Sequence, residues 1–159
     1  MTINTKEVTG RRDVQFDSMH DFLRDAERMV EMNVQPIGNW TAGQIFKHMA
    51  LNLNGSIDGM GFALPFWLRP FLKSFVKRRF LNTTPSAGIT TSPTLIPGDI
   101  SSQAGLVALR MSVIRYLEAT TATNLAANHL FGKMTNEEWT RFHLRHAELH
   151  MSFFVPPSE

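Results

Sequence analysis

The stretch Thr135–Phe154 reads TNEEWTRFHLRHAELHMSFF, and its spacing decides the fold class. Thr135 and Glu138 form a capping-box pair, in which each side chain serves the other's backbone N–H at a helix start. Three histidines follow, at positions 143, 146 and 150. At 3.6 residues per turn His146 and His150 lie one above the other, with His143 one turn earlier. Phe142, Leu149 and Phe153 share their side, so the pair faces a core rather than water. A buried imidazole needs a hydrogen bond, a charge or a metal.

Working outward, three more main helices are expected. The first, over 17–33, starts at Asp17 or Ser18 and carries Met19, Phe22, Leu23, Ala26 and Val30 at helical spacing. A second, over 41–59, opens on another capping box, Thr41 with Gln44, and Trp40 stands at the staple position before it. Its inward face holds Gln44, Ile45, His48, Asn52, Gly55 and Gly59, and the two glycines call for a packing reason because glycine weakens a helix interior. A third spans 101–120 with Leu106, Leu109, Val113, Ile114 and Leu117, and the Thr/Ala/Asn run from Thr120 ends it. The last spans 135–154. Residues 1–15 read as a polar lead-in, with a short extended piece at Val14–Phe16.

Connections 1–2 and 3–4 are short, which makes antiparallel neighbours of those pairs. The 2–3 connection of about forty residues is long enough to return along the molecule. The expectation is an all-α, up-down-down-up four-helix bundle with a long crossover between helices 2 and 3, one domain over 1–159. Within the crossover a short helix is expected over Pro70–Leu81. Residues 82–100 lose periodicity, and a loop that long is a candidate lid.

Composition removes several chemistries. With no cysteine in 159 residues, disulfides, thiolate metal sites and cysteine nucleophiles are out, and any thiol in the chemistry comes from outside the chain. A formal net charge of +2 does not suggest nucleic acid. Nine methionines against one tyrosine suit an adaptable helical core. The start has no apolar signal region, and the most apolar run, Gly59–Leu68, is too short and proline-broken for a bilayer. The chain reads as cytoplasmic.

Facing helices of a bundle can share an ion, and here helix 2 offers His48 while helix 4 offers His146 and His150. Three neutral imidazoles would leave coordination positions open, as catalytic sites do, and they suit zinc, nickel, iron(II) or copper. A lone core histidine can also satisfy itself, and an i, i+4 pair also arises by chance. His143 is a candidate fourth ligand or general base, read first as a rim residue; the catalytic residues are otherwise unassigned. Glu148 falls on the opposite face and reads as solvated. His129 is a loop histidine without a matched role.

The segment Trp40-Thr-Ala-Gly-Gln-Ile-Phe-Lys-His48 resembles the second-helix signature of the DinB/YfiT-like bundle superfamily. Leu130-Phe-Gly-Lys-Met-Thr-Asn-Glu-Glu-Trp139, followed by His146-Ala-Glu-Leu-His150, resembles its final helix, in an uncharacterised branch of unknown function that the opening Arg12-Asp-Val-Gln-Phe16 fits too. The resemblance implies a divalent-metal site at His48, His146 and His150. It also implies a metal-dependent transferase using a low-molecular-weight thiol, or a hydrolase, acting on a small-molecule substrate, and a homodimer formed through bundle faces. Phe153 stands where relatives often carry Gln, and Asn128-His129 where they often carry His-Pro. The alternative is a non-enzymatic helical module: Arg69, Lys73, Lys77, Arg78 and Arg79, interleaved with Phe66, Trp67, Phe71, Phe75 and Phe80, can lie on an anionic membrane surface or an acidic partner.

Overall fold

A computed structural model describes residues 2–61, 75–122 and 125–157. Among them the chain forms five α-helices and no strand: α1 (Met19–Glu31), α2 (Ala42–Asp58), α3 (Phe75–Asn82), α4 (Ser102–Ala122) and α5 (Asn136–Met151), with a 3-10 turn at Pro93–Leu95. The extended piece expected at Val14–Phe16 makes no β-bridge; the isolated bridges among the described residues are Pro36 with Phe154 and Asn128 with Gly132.

The helix starts follow their caps. Ser18 caps α1, its hydroxyl accepting from the Asp21 N–H. Both capping boxes form: the Thr41 and Thr135 hydroxyls accept from Gln44 N and Glu138 N, and the Gln44 and Glu138 side chains accept from Thr41 N and Thr135 N. The helix ends shift. α4 continues past Thr120 to Ala122 because the Thr120 and Thr121 hydroxyls donate back to Leu117 O and Glu118 O, so the poor helix formers are satisfied inside the helix. α5 stops at Met151, not Phe154. The Phe153 carbonyl leaves the helix to accept from Ile37 N at 3.0 Å, and the Phe154 ring stacks on Phe46.

α1 buries Met19, Phe22, Ala26 and Met29, each buried large side chain contributing roughly 1.5–3 kcal/mol. α2 packs chiefly on α4, α1 also on α4, and α3 on α5, while α5 touches both α1 and α2. The α2–α4 crossing is a backbone contact. A Cβ on Gly105 would fall 2.5 Å from the Gly43 carbonyl oxygen, and one on Gly43 would fall 2.2 Å from Ile100 O. The two glycines at the end of α2 have different reasons. A side chain at Gly55 would strike the Met60 sulfur, whereas Gly59 ends the helix at φ +91° in open space.

The N-terminal lead-in is also fixed. Arg12 pairs with Asp25 and donates to Met151 O, and Arg12 N donates to Ser152 O, so this segment ties α1 to the end of α5. Of the helix expected over Pro70–Leu81, Phe75–Asn82 is present and the remainder lies outside the described residues. No helix among the described residues is long and apolar enough to cross a membrane.

Candidate functional site

α2 and α5 each present histidines to the same point. His48 Nε2 lies 3.2 Å from His146 Nε2, and His150 Nε2 lies 3.0 Å from the same atom. One ligand atom from each ring falls within 4.8 Å of the others. His48 is buried and its ring is oriented from behind: Nδ1 donates to the Leu95 carbonyl at 2.7 Å. That bond fixes the proton on Nδ1 and leaves the Nε2 lone pair aimed at the other histidines. Asn52, one turn along α2, donates its amide to His48 O at 2.9 Å and points the same nitrogen at His48 Nε2 at 3.3 Å. Trp40 lies parallel to the His150 ring at 5.7 Å between centroids and presents an edge to His48.

The protons in this group do not suffice for its contacts. Burial pushes His48 down from its usual value, against the Leu95 hydrogen bond. It pushes His150 down to about 3, with the His48 charge adding to the effect. His146 is held well below its usual value by burial first, then by repulsion from its histidine neighbours, led by His150. All three rings are therefore neutral near pH 7. With the His48 proton on Nδ1, a single ring N–H would have to serve both the 3.2 Å and the 3.0 Å contacts. One of the two contacts is thus left without a proton of its own, and the His48 Nε2 lone pair then has only the Asn52 amide, at 3.3 Å, to accept from. Three neutral imidazole nitrogens at a common point suit a shared cation: ligands about 2.0–2.1 Å from a tetrahedral zinc are themselves about 3.3 Å apart. The group could hold a metal ion.

The histidines form the floor of a cavity of about 510 Å³. Trp40, Ile45, Phe80, Phe142, Leu149 and Phe153 form much of its wall. The 82–100 loop supplies another side, from Pro85 to Leu95. Its ends are pinned: the Thr84 hydroxyl donates to Glu148 at 2.7 Å, and Leu95 holds His48. The loop read as a lid therefore lies against the histidine site.

A family model described as protein of unknown function (DUF1569) matches residues 8–157. The chain belongs to this family. No curated protein and no solved structure matches it. The histidine trio of this DUF1569 chain lies inside the matched segment, as do the loop and every described helix.

Two residues stand elsewhere than the sequence suggested. His143 is not on a rim. It is buried between the Trp139 ring, stacked at 5.2 Å, and the Tyr116 ring, edge-on at 5.1 Å, and it does not join the group of converging nitrogens. Burial holds its pKa at about 3. Glu148 is not solvated. It is 1% exposed, accepts from Phe16 N at 3.0 Å and from Thr84, and pairs with Arg145 at 2.8 Å. His129 lines the cavity, and burial lowers its pKa. The helix wheel of α2 already placed Asn52 on the inward face, but the Leu95 carbonyl carried no signal in side-chain identity.

The described half of the basic aromatic segment is engaged by the chain itself only in part. Lys77 pairs with Glu138 at 2.6 Å, and the Phe80 ring stacks on Phe142 at 5.0 Å. Phe75, Arg78 and Arg79 face solvent. Phe66, Trp67, Arg69, Phe71 and Lys73 lie outside the described residues.

Proposed function

We propose that this chain is a DinB-like four-helix-bundle protein, up-down-down-up with a long crossover, that binds one divalent metal through His48, His146 and His150. We read it as a metal-dependent transferase or hydrolase acting on a small molecule, with a low-molecular-weight thiol as co-substrate in the transferase form. The observation that carries the reading is the convergence of three Nε2 atoms, with two contacts of 3.2 and 3.0 Å that the available protons cannot both satisfy. Zinc, nickel and iron(II) all suit this ligand set.

A dication held by three neutral ligands keeps its charge and lowers the pKa of a bound thiol or water, which supplies a nucleophile near pH 7. The chain's own residues prepare the place. Leu95 sets the tautomer of His48, Trp40 packs on His150, and Asn52 brings an amide donor to the floor. Trp40, Phe80, Phe142 and Phe153 line the cavity around it.

The test is calorimetric titration of metal-free protein with zinc, nickel and iron(II), repeated on His146→Ala. One ion per chain is expected, with at least about 100-fold weaker binding in the variant, equivalent to about 2.7 kcal/mol. Equal, weak binding of every metal by both proteins refutes the proposal.

A further inference from the structure

The cavity above the histidines has a consistent wall chemistry. None of its described lining residues is Asp, Glu, Lys or Arg. The polar lining groups are neutral: Asn39, Asn52, Thr90, Thr91 and Ser92 among them. Charges on α5 that could have reached it are spent elsewhere. Glu148 and Arg145 pair with each other, and both also bond the Phe16 backbone. Lys6 comes close to the loop, its stem lying over Gly88, but it is not part of the lining.

Burying an ion without a partner is heavily penalised, whereas apolar surface against aromatic walls is favourable. The volume, about 510 Å³, lies within the roughly 300–1,000 Å³ usual for small-molecule sites. Beside the histidines stands one side-chain amide, that of Asn52. Asn52 has two amide hydrogens, one engaged by His48 O and the other aimed at His48 Nε2. Once that lone pair is committed elsewhere, the second hydrogen is left to a ligand.

We propose that the cavity takes an uncharged, largely apolar small molecule bearing one polar head (hydroxyl, carbonyl or thiol), seated head-down on the histidine floor beside Asn52. The inference rests on reading this cavity as the functional site, and it narrows the substrate class. A thiol co-substrate fits only with its charged groups outside the mouth.

The test uses the full chain after chelator treatment, so that no metal charge takes part. Three ligands share one skeleton: 4-phenylbutan-1-ol, 4-phenylbutanoate and 4-phenylbutylammonium. Each displaces the neutral dye N-phenyl-1-naphthylamine, followed by fluorescence. The alcohol should bind at least about tenfold more tightly than either ion. In Ile89→Asp, an exposed position on the cavity wall, the alcohol should weaken several-fold and the ammonium should gain. Equal or tighter binding of an ion overturns the proposal; so does binding of the alcohol that Ile89→Asp leaves unchanged, or no binding of any ligand. Alcohol binding by a protein that takes up no metal would refute the metal centre and leave this inference standing. Metal uptake without selectivity for the alcohol would do the reverse.

Discussion

His48 and Leu95 are joined by a buried 2.7 Å hydrogen bond from the imidazole Nδ1 to the backbone carbonyl. The bond makes the loop part of the site: the 3-10 turn at Pro93–Leu95 decides which nitrogen of His48 is free. Partners of this kind commonly set metal affinity, and losing one typically weakens binding by about 10–100-fold. Replacing Pro93 and Leu95 together by glycine should therefore leave the helical circular dichroism intact and weaken zinc binding by about that factor in calorimetry. Unchanged affinity would mean that the carbonyl does not orient the ring.

The Gly43–Gly105 crossing sets how closely α2 approaches α4, and so where His48 stands. A methyl at Gly43 meets backbone oxygens of Ile100 and Ser101 at 2.2 and 2.6 Å, which cannot rotate away. Gly43→Ala should lower stability by about 1–3 kcal/mol, the usual range for overpacking, in urea denaturation. Gly98→Ala, where an added Cβ meets nothing within 4 Å, should stay within about 0.5 kcal/mol of the parent.

Glu148 gathers three segments: the N-terminal lead-in through Phe16, the loop through Thr84, and its own helix through Arg145. Removing one member of a buried ion pair strands the other, so Glu148→Ala should cost about 3–5 kcal/mol. Thr84→Val removes a single hydrogen bond and should cost about 1–3 kcal/mol. Both are measured by thermal or urea unfolding; a Glu148→Ala protein as stable as the parent would show that the carboxylate is solvated after all.

What the sequence made legible was local. Thr41 with Gln44 and Thr135 with Glu138 are pairs three residues apart, and both boxes form at those positions. His146 and His150 are one helical turn apart, and they meet as spaced. The inward face of the second helix already held His48, and its ring meets theirs. His143 and Glu148 were misread for a shared reason. A helix wheel assumes one covered face, but α5 is covered by α1, α2 and α3, and by the lead-in at Phe16. Its outer faces are therefore inner faces of other contacts. The end of α4 was misplaced because threonine propensity ignores the back-bonds of Thr120 and Thr121. The Leu95 contribution is a carbonyl, which every residue possesses, so side-chain chemistry could not single it out.

His143 and Tyr116, ring against ring in the core, should limit stability at opposite ends of the pH scale. Burial lowers the folded His143 pKa to about 3 from the ordinary 6.5. Between those values the unfolded chain takes up a proton that the native state refuses, so stability falls as pH falls. The slope approaches about 1.4 kcal/mol per pH unit for this residue. Tyr116 is raised to about 12 from 10.0, chiefly by burial. There the unfolded phenol ionises first, so stability is full below about pH 10 and is lost as pH rises towards the folded value. Urea unfolding of the metal-free protein across pH checks both. His143→Leu, close in volume, should recover about 2 kcal/mol of the loss between about pH 6 and pH 4. Tyr116→Phe, which gives up the 2.9 Å bond to Thr140, should flatten the alkaline limb and leave the acid limb unchanged. An acid limb identical in His143→Leu and the parent would place the destabilising proton on another group.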